Sequence, residues 1–189
     1  MPTHEDQTFE KASFSEKVIK QDSFENCTFI NCDFSNANVT NSRFTECSFI
    51  GCNMGMMKVK STTLNDAKFK DCKLMGINFS ECIDFLFSVS FQNCILDYSS
   101  FEGKKMVKTT FADCSLKGAV FANTDLKGSK FDNCNLDSAQ FERTNLREAN
   151  LSTAINYAID PELNDIKKAR FSIHGIPGLL NKYDIKIER

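Results

Sequence analysis

Apolar residues recur along this chain at a fixed interval of five. From Phe9 the step lands on Phe14, Ile19, Phe24, Phe29, Phe34, Val39, Phe44, Phe49, Met54, Val59, Leu64, Phe69, Leu74 and Phe79. The next step meets Asp84 and the register is lost. It resumes at Leu86 and runs through Phe91, Leu96, Phe101, Met106, Phe111, Leu116, Phe121, Leu126, Phe131, Leu136, Phe141 and Leu146 to Leu151. The position two before each centre is mostly Cys, Ala, Ser or Thr, with Lys17, Asp22, Met57 and Lys104 among the exceptions. Polar residues hold most of the remaining positions. A period of five fits neither an α-helix nor a simple strand. It requires a backbone that turns a corner after each unit, with two residues of every five facing inward. Four such units close a square coil, so the pattern predicts an all-β solenoid, a quadrilateral β-helix.

In such a coil, residues 20 apart stack. Phe9, Phe29, Phe49 and Phe69 are expected in one column, and Phe91, Phe111 and Phe131 in another that ends at Leu151. Phe101, Phe121 and Phe141 make a third column, and Leu96, Leu116 and Leu136 a fourth. Alternating Phe and Leu columns fill a square core without voids. About seven coils at ~4.8 Å each give a rod of roughly 34 Å. The stacking accounts for an odd composition, 18 Phe and no Trp in 189 residues. All 9 Cys share the small inward offset. They form linear columns without CxxC spacing or a neighbouring His, which favours packing as small hydrophobes over metal or disulfide. The cysteines are therefore expected to be reduced, with no metal and no cofactor.

The register break over residues 82–86 inserts two residues between in-register halves. Either it tucks Phe85 or Phe87 against the rod, or it displays an aromatic contact loop of Ile83, Asp84, Phe85 and Phe87. Ile30, Ile50 and Met54 to Met57 are secondary apolar candidates. Residues 1–6, with His4, read as a disordered tail, 7–154 as the rod, and 155–189 as a helical capping and dimerisation segment. Within that last segment Asp160 and Pro161 resemble a helix start. A second short helix is expected near Pro177, and Ile185 and Ile187 alternate as in an edge strand. An open solenoid end needs a cap, so this segment can cap the rod, dimerise it, or both, with Leu179, Leu180, Tyr183, Ile185 and Ile187 as the candidate homodimer interface.

Lys and Arg total 23 and Asp and Glu 25, a net charge of −2. That balance argues against direct nucleic-acid binding. No apolar run suits a membrane span or a signal peptide, so a cytoplasmic location is expected. No catalytic arrangement or small-molecule site is readable. His174 sits in the C-terminal segment beside Gly175, and Lys104, Lys105 and Lys108 read as a solvated face. Asp97, Glu102, Asp137 and Glu142 make a candidate acidic surface, with Lys117 stacked between Asp97 and Asp137.

Segments such as CSLKGAVFANTDLKGSKF and CNLDSAQFERTNLREANL resemble the pentapeptide-repeat family, whose units read A(D/N)LXX. The likeness covers roughly Gln7 to Leu151 and implies a right-handed coil. Within the family, the chain is most similar to the branch that protects DNA gyrase, the quinolone-resistance and microcin-immunity type. The similarity lies in the mid-chain break followed by LFSVSFQNCILDYSSF, in the ending NYAIDPELNDIKKARFSIHGIPGLLNKYDIKIE, and in overall length. It implies gyrase as partner, with topoisomerase IV second, rods joined end to end through their C-terminal segments, and an acidic rod resembling B-form DNA. Residues 61–151 hold 12 acidic and 11 basic side chains, so this rod departs from that charge pattern. The alternative is a rigid scaffold for another protein.

Overall fold

The computed structural model describes residues 2–188. The chain forms an all-parallel β-solenoid with four faces. On one face, A, the strands Thr3–Glu5, Ser23–Glu25, Arg43–Thr45 and Thr63–Asn65 pair in that order. The next face, B, carries a continuous nine-strand ladder from Thr8–Glu10 to Arg170–Phe171. Faces C and D, centred on Phe14 and Ile19 in the first coil, are stitched by single parallel bridges such as Asp33 to Asn53 and Ser100 to Val120.

The corners explain why the unit has five residues. The residue two after most centres lies in the left-handed region, as at Asn26, Asn31, Asn36 and Asp113. Asn, Asp and Gly tolerate that conformation, and Gly does so without a Cβ penalty. Gly118 needs that freedom twice. Its φ is +62°, and a Cβ there would fall 2.8 Å from the Tyr98 ring, which lies across it. The polar positions of the repeat therefore set the turns as well as face solvent.

The inward positions do two jobs. Centres stack face to face, as for Phe9 on Phe29 at 4.9 Å, and meet the neighbouring column edge-on, as for Phe111 and Phe121 at 5.9 Å. Both arrangements suit the aromatic quadrupole. Phe91, Phe101, Phe111, Phe121, Phe131 and Phe141 are all buried in this core. The small offset fills the remaining space and bonds to the coil before it. Thr124 Oγ1 donates to the Phe101 carbonyl at 2.9 Å, and Cys52 Sγ donates to the Phe29 carbonyl at 3.3 Å. All nine cysteines are buried as free thiols. Burial pushes Cys47 and Cys82 up to about 12.

Several expectations change here. The two Phe columns of face B are one column, because Phe69 stacks directly on Phe91 at 5.2 Å and the inserted residues are absorbed elsewhere. The expected tail over 1–6, of which Met1 lies outside the described residues, is not free over 2–6. His4 stacks on Phe24 at 4.7 Å and serves as the first centre of face A. The rod also extends past 154. Ile155, Asp165 and Arg170–Phe171 continue the ladders, so 160–169 is coil rather than helix. Asp160 caps a turn by accepting from the Glu162 amide at 2.8 Å, a local use of the same Asx chemistry that starts helices. The cap proper is two 3₁₀ helices, Ile173–Leu179 and Asn181–Tyr183. Ile185 and Ile187 are not in a strand.

Candidate protein-binding loop

The two-residue insertion falls on face A and divides it. The four-strand ladder ends at Thr63–Asn65, and the face resumes only with the bridges Lys105 to Asp125, Asn145 and Asp165. Between them, Ile83 to Leu86 leave the rod. The loop is tied at both ends, by the Ile83 amide on the Thr62 carbonyl at 2.9 Å and the Ser88 amide on the Leu64 carbonyl at 3.0 Å. Its corner is Leu86, at φ 59°. Phe85 is 76% exposed, and Ile83 and Leu86 are exposed beside it. Together they line a groove of about 440 Å³ with Arg43, Thr63 and Asn65.

The pattern placed the second frame's first centre at Leu86, but the inward residue at this corner is Phe87, 9% exposed. Phe87 therefore lies beneath the loop and not on its outer surface. Beside it is Lys104, assigned from sequence to a solvated face and in fact only 2% exposed. Lys104 occupies the small inward offset held by Thr62 and Cys82 before it and Thr124 and Thr144 after it. Its ammonium donates to the Cys82 carbonyl and to Asp84 Oδ1, and sits 5.3 Å from the centre of the Phe87 ring. The signal was present in the sequence, since a lysine at an inward offset is an exception that needs a partner. Nothing in the five-residue pattern named Asp84 as that partner.

The acidic candidates split between two faces. Asp97 and Asp137 share a column with Lys117, and Asp97 is already engaged, accepting from Ser115 Oγ at 2.6 Å and the Lys117 amide at 3.0 Å. Glu102 and Glu142 follow Phe101 and Phe141 on the next face, with Ala122 between them. The carboxylates thus make two interrupted columns and no continuous acidic ridge. Of the secondary apolar candidates, Met56 is exposed at the corner between faces C and D, and Met75 and Tyr98, which the sequence did not single out, are exposed near the same corner on the next two coils.

At the C-terminal end, Leu179 packs on the core and Leu180 is half-buried, while Tyr183, Ile185 and Ile187 are exposed. The cap is tied to the last coil by Lys182, 2.8 Å from Asp160 and 2.6 Å from Glu162, and by Tyr183 Oη, which donates to Glu162 at 2.8 Å. Bonds from Lys182 hold both carboxyls below their usual range, with Tyr183 adding to the effect at Glu162. Tyr157 lies buried under Gly175 and Gly178, where any Cβ would strike its ring or carbonyl.

Among the described residues, no three His, Cys, Asp or Glu converge as metal ligands, and no helix is long and apolar enough to cross a membrane.

A family model described as a pentapeptide repeat region matches residues 22–101 and 84–158. No curated protein matches. Among solved structures, a trypsin-treated variant of QnrB1, described as a plasmid-mediated fluoroquinolone resistance protein, superposes with a TM-score of 0.63 at 17% identity, over 98% of this chain and 100% of that one. A second trypsin-treated QnrB1 variant gives 0.62 at 17% identity, over 100% of this chain and 99% of that one.

Proposed function

This chain belongs to the pentapeptide-repeat family, and from that premise we propose that it is a non-enzymatic rod that binds DNA gyrase or topoisomerase IV and protects it from a quinolone or a related toxin. One observation carries the reading. While face B runs regularly over eight successive steps, face A is broken between Asn65 and Lys105, and the break presents Phe85 with Ile83 and Leu86 on a rigid base. Exposed aromatics held by a stiff frame act as interface anchors, because little conformational entropy remains to be lost on binding. The likeness in fold to a fluoroquinolone-resistance protein supports the choice of partner. Ile83, Asp84 and Phe85 form the contact in this reading, and Phe87 supports it from below.

Charge plays a smaller part than DNA mimicry would demand. With a net charge of −2 and interrupted carboxylate columns, recognition rests on the apolar loop, with Asp97, Glu102, Asp137 and Glu142 at most steering the approach. The same near-neutrality favours the second reading, a scaffold for a different protein. The exposed Tyr183, Ile185 and Ile187 support pairing of two rods through their C-terminal ends. Sedimentation of the purified chain with purified gyrase and, separately, with topoisomerase IV discriminates between the readings. Co-sedimentation that is lost in Phe85→Ser supports the topoisomerase reading, and no complex with either enzyme leaves the scaffold.

A further inference from the structure

The geometry points to Lys104 as the clasp that positions the Ile83–Leu86 loop. Every other described residue of its column, Pro2, Asp22, Ser42, Thr62, Cys82, Thr124, Thr144 and Asn164, is short. Where these reach a backbone carbonyl, they do so from the column itself, as Thr62 does to Val39 and Thr144 to Phe121. Lys104 instead extends into the corner where face A has lost its strand. At that level Ile83, Asp84, Phe85 and Leu86 all face solvent, so no centre stands between Leu64 and Met106. The lysine stem and the Phe87 ring occupy the interior, and the ammonium reaches outward to the loop.

A cation this deeply buried is costly unless paired. Two of its partners, the Cys82 carbonyl and the Phe87 ring, belong to the base of the loop. The third, the Asp84 carboxylate, is a mostly exposed side chain that, among the described residues, bonds to Lys104 alone. The asymmetry tells which group serves which. A buried Asp held by an exposed Lys would be a stabilised core group, whereas an exposed Asp held by a buried Lys is a surface loop pulled down onto the rod. The clasp fixes the backbone on one side of Phe85, and Phe87 anchors the other. A consequence is that Asp84 and Phe85 cannot be trimmed without cost, even though they lie outside the five-residue register, because trimming strands the ammonium.

The test needs no binding partner, so the clasp and the topoisomerase reading can fail separately. Chymotrypsin is applied to the native full chain, and cleavage after Phe85 and Leu86 is followed by mass spectrometry, alongside thermal melting. Lys104→Met, which replaces the buried cation by an apolar chain of similar length and leaves the exposed Asp84 to water, is expected to melt at or above the wild-type temperature while cleavage rises about ten-fold or more, as for local release of a loop. Asp84→Asn, a surface change that leaves the packing intact, is expected to raise cleavage and to lower the melting temperature. Its effect on melting should vanish when combined with Lys104→Met. Wild-type cleavage rates in both single variants would overturn the clasp. So would an Asp84→Asn destabilisation of equal size with and without Lys104→Met.

Discussion

Two inward positions govern the rod, and different forces act at each. At a centre such as Phe111 the force is burial plus ring stacking, with Phe91 and Phe131 above and below at 5.3 and 4.9 Å. Phe111→Ala is therefore expected to lose about 3–5 kcal/mol in a denaturant titration, as for other buried aromatic truncations. Lys117→Ala, at an outward position, should change stability by less than about 0.5 kcal/mol. At the small offset the force is fit, joined at Cys, Ser and Thr by a hydrogen bond to the previous coil, and it is the shared small size that lets Ala stand in for them. Buried thiols are out of reach of solvent, so a thiol reagent added to native protein should react negligibly. All nine should titrate once the chain is unfolded. Rapid native labelling of several cysteines would mean that the columns are not closed. These two positions were legible because each repeats along the rod. Lys104 was not, because its partner lies in the segment where the repeat fails.

At the scale of single elements, the coil was readable wherever its centres stayed apolar, and misread where one was replaced. His4 lies one step of five before Phe9, and its polarity masks in the sequence the role of centre that its ring plays by stacking on Phe24. Beyond Leu151 the steps meet Asn156 and Pro161 before returning to Ile166 and Phe171, both packed against the core. Two polar or breaking residues in succession hid a coil that the backbone nevertheless completes, and Asp160–Pro161 gave the local signal of a helix start. The cap is held differently from the coils, by ions as well as packing. Asp160 and Glu162 titrate below their ordinary values because of Lys182. The stabilisation they provide is thus complete above the usual carboxylate pKa values and is lost as pH falls through the depressed ones. A difference in melting temperature between wild type and Lys182→Ala should be present at neutral pH and close progressively below about pH 4. A gap of constant size down to strongly acidic pH would remove the ion pairs from the docking of the cap.

The whole molecule is a rod with an interruption on face A and an apolar C-terminal end. Because residues 155–171 complete the last coil, the clean removal of the end begins at Ser172. The proposed homodimer predicts that the full chain sediments as a dimer and that a chain ending at Phe171 is monomeric or aggregates, since the cap covers Tyr157. A full chain that stays monomeric at high concentration would contradict the pairing. Function was less legible than fold for a physical reason. The repeat is specified by inward residues, and the surface that meets a partner is written in the outward ones, which the repeat leaves free. The loop around Phe85 is where the two depart from each other most, and the account turns on it. Supercoiling by purified gyrase in the presence of ciprofloxacin, measured with added wild-type chain and with Phe85→Ser, tests this directly. The wild type is expected to restore supercoiling and Phe85→Ser, equally stable, to leave it blocked. Failure of the wild type to restore it, or equal rescue by both, would contradict the account.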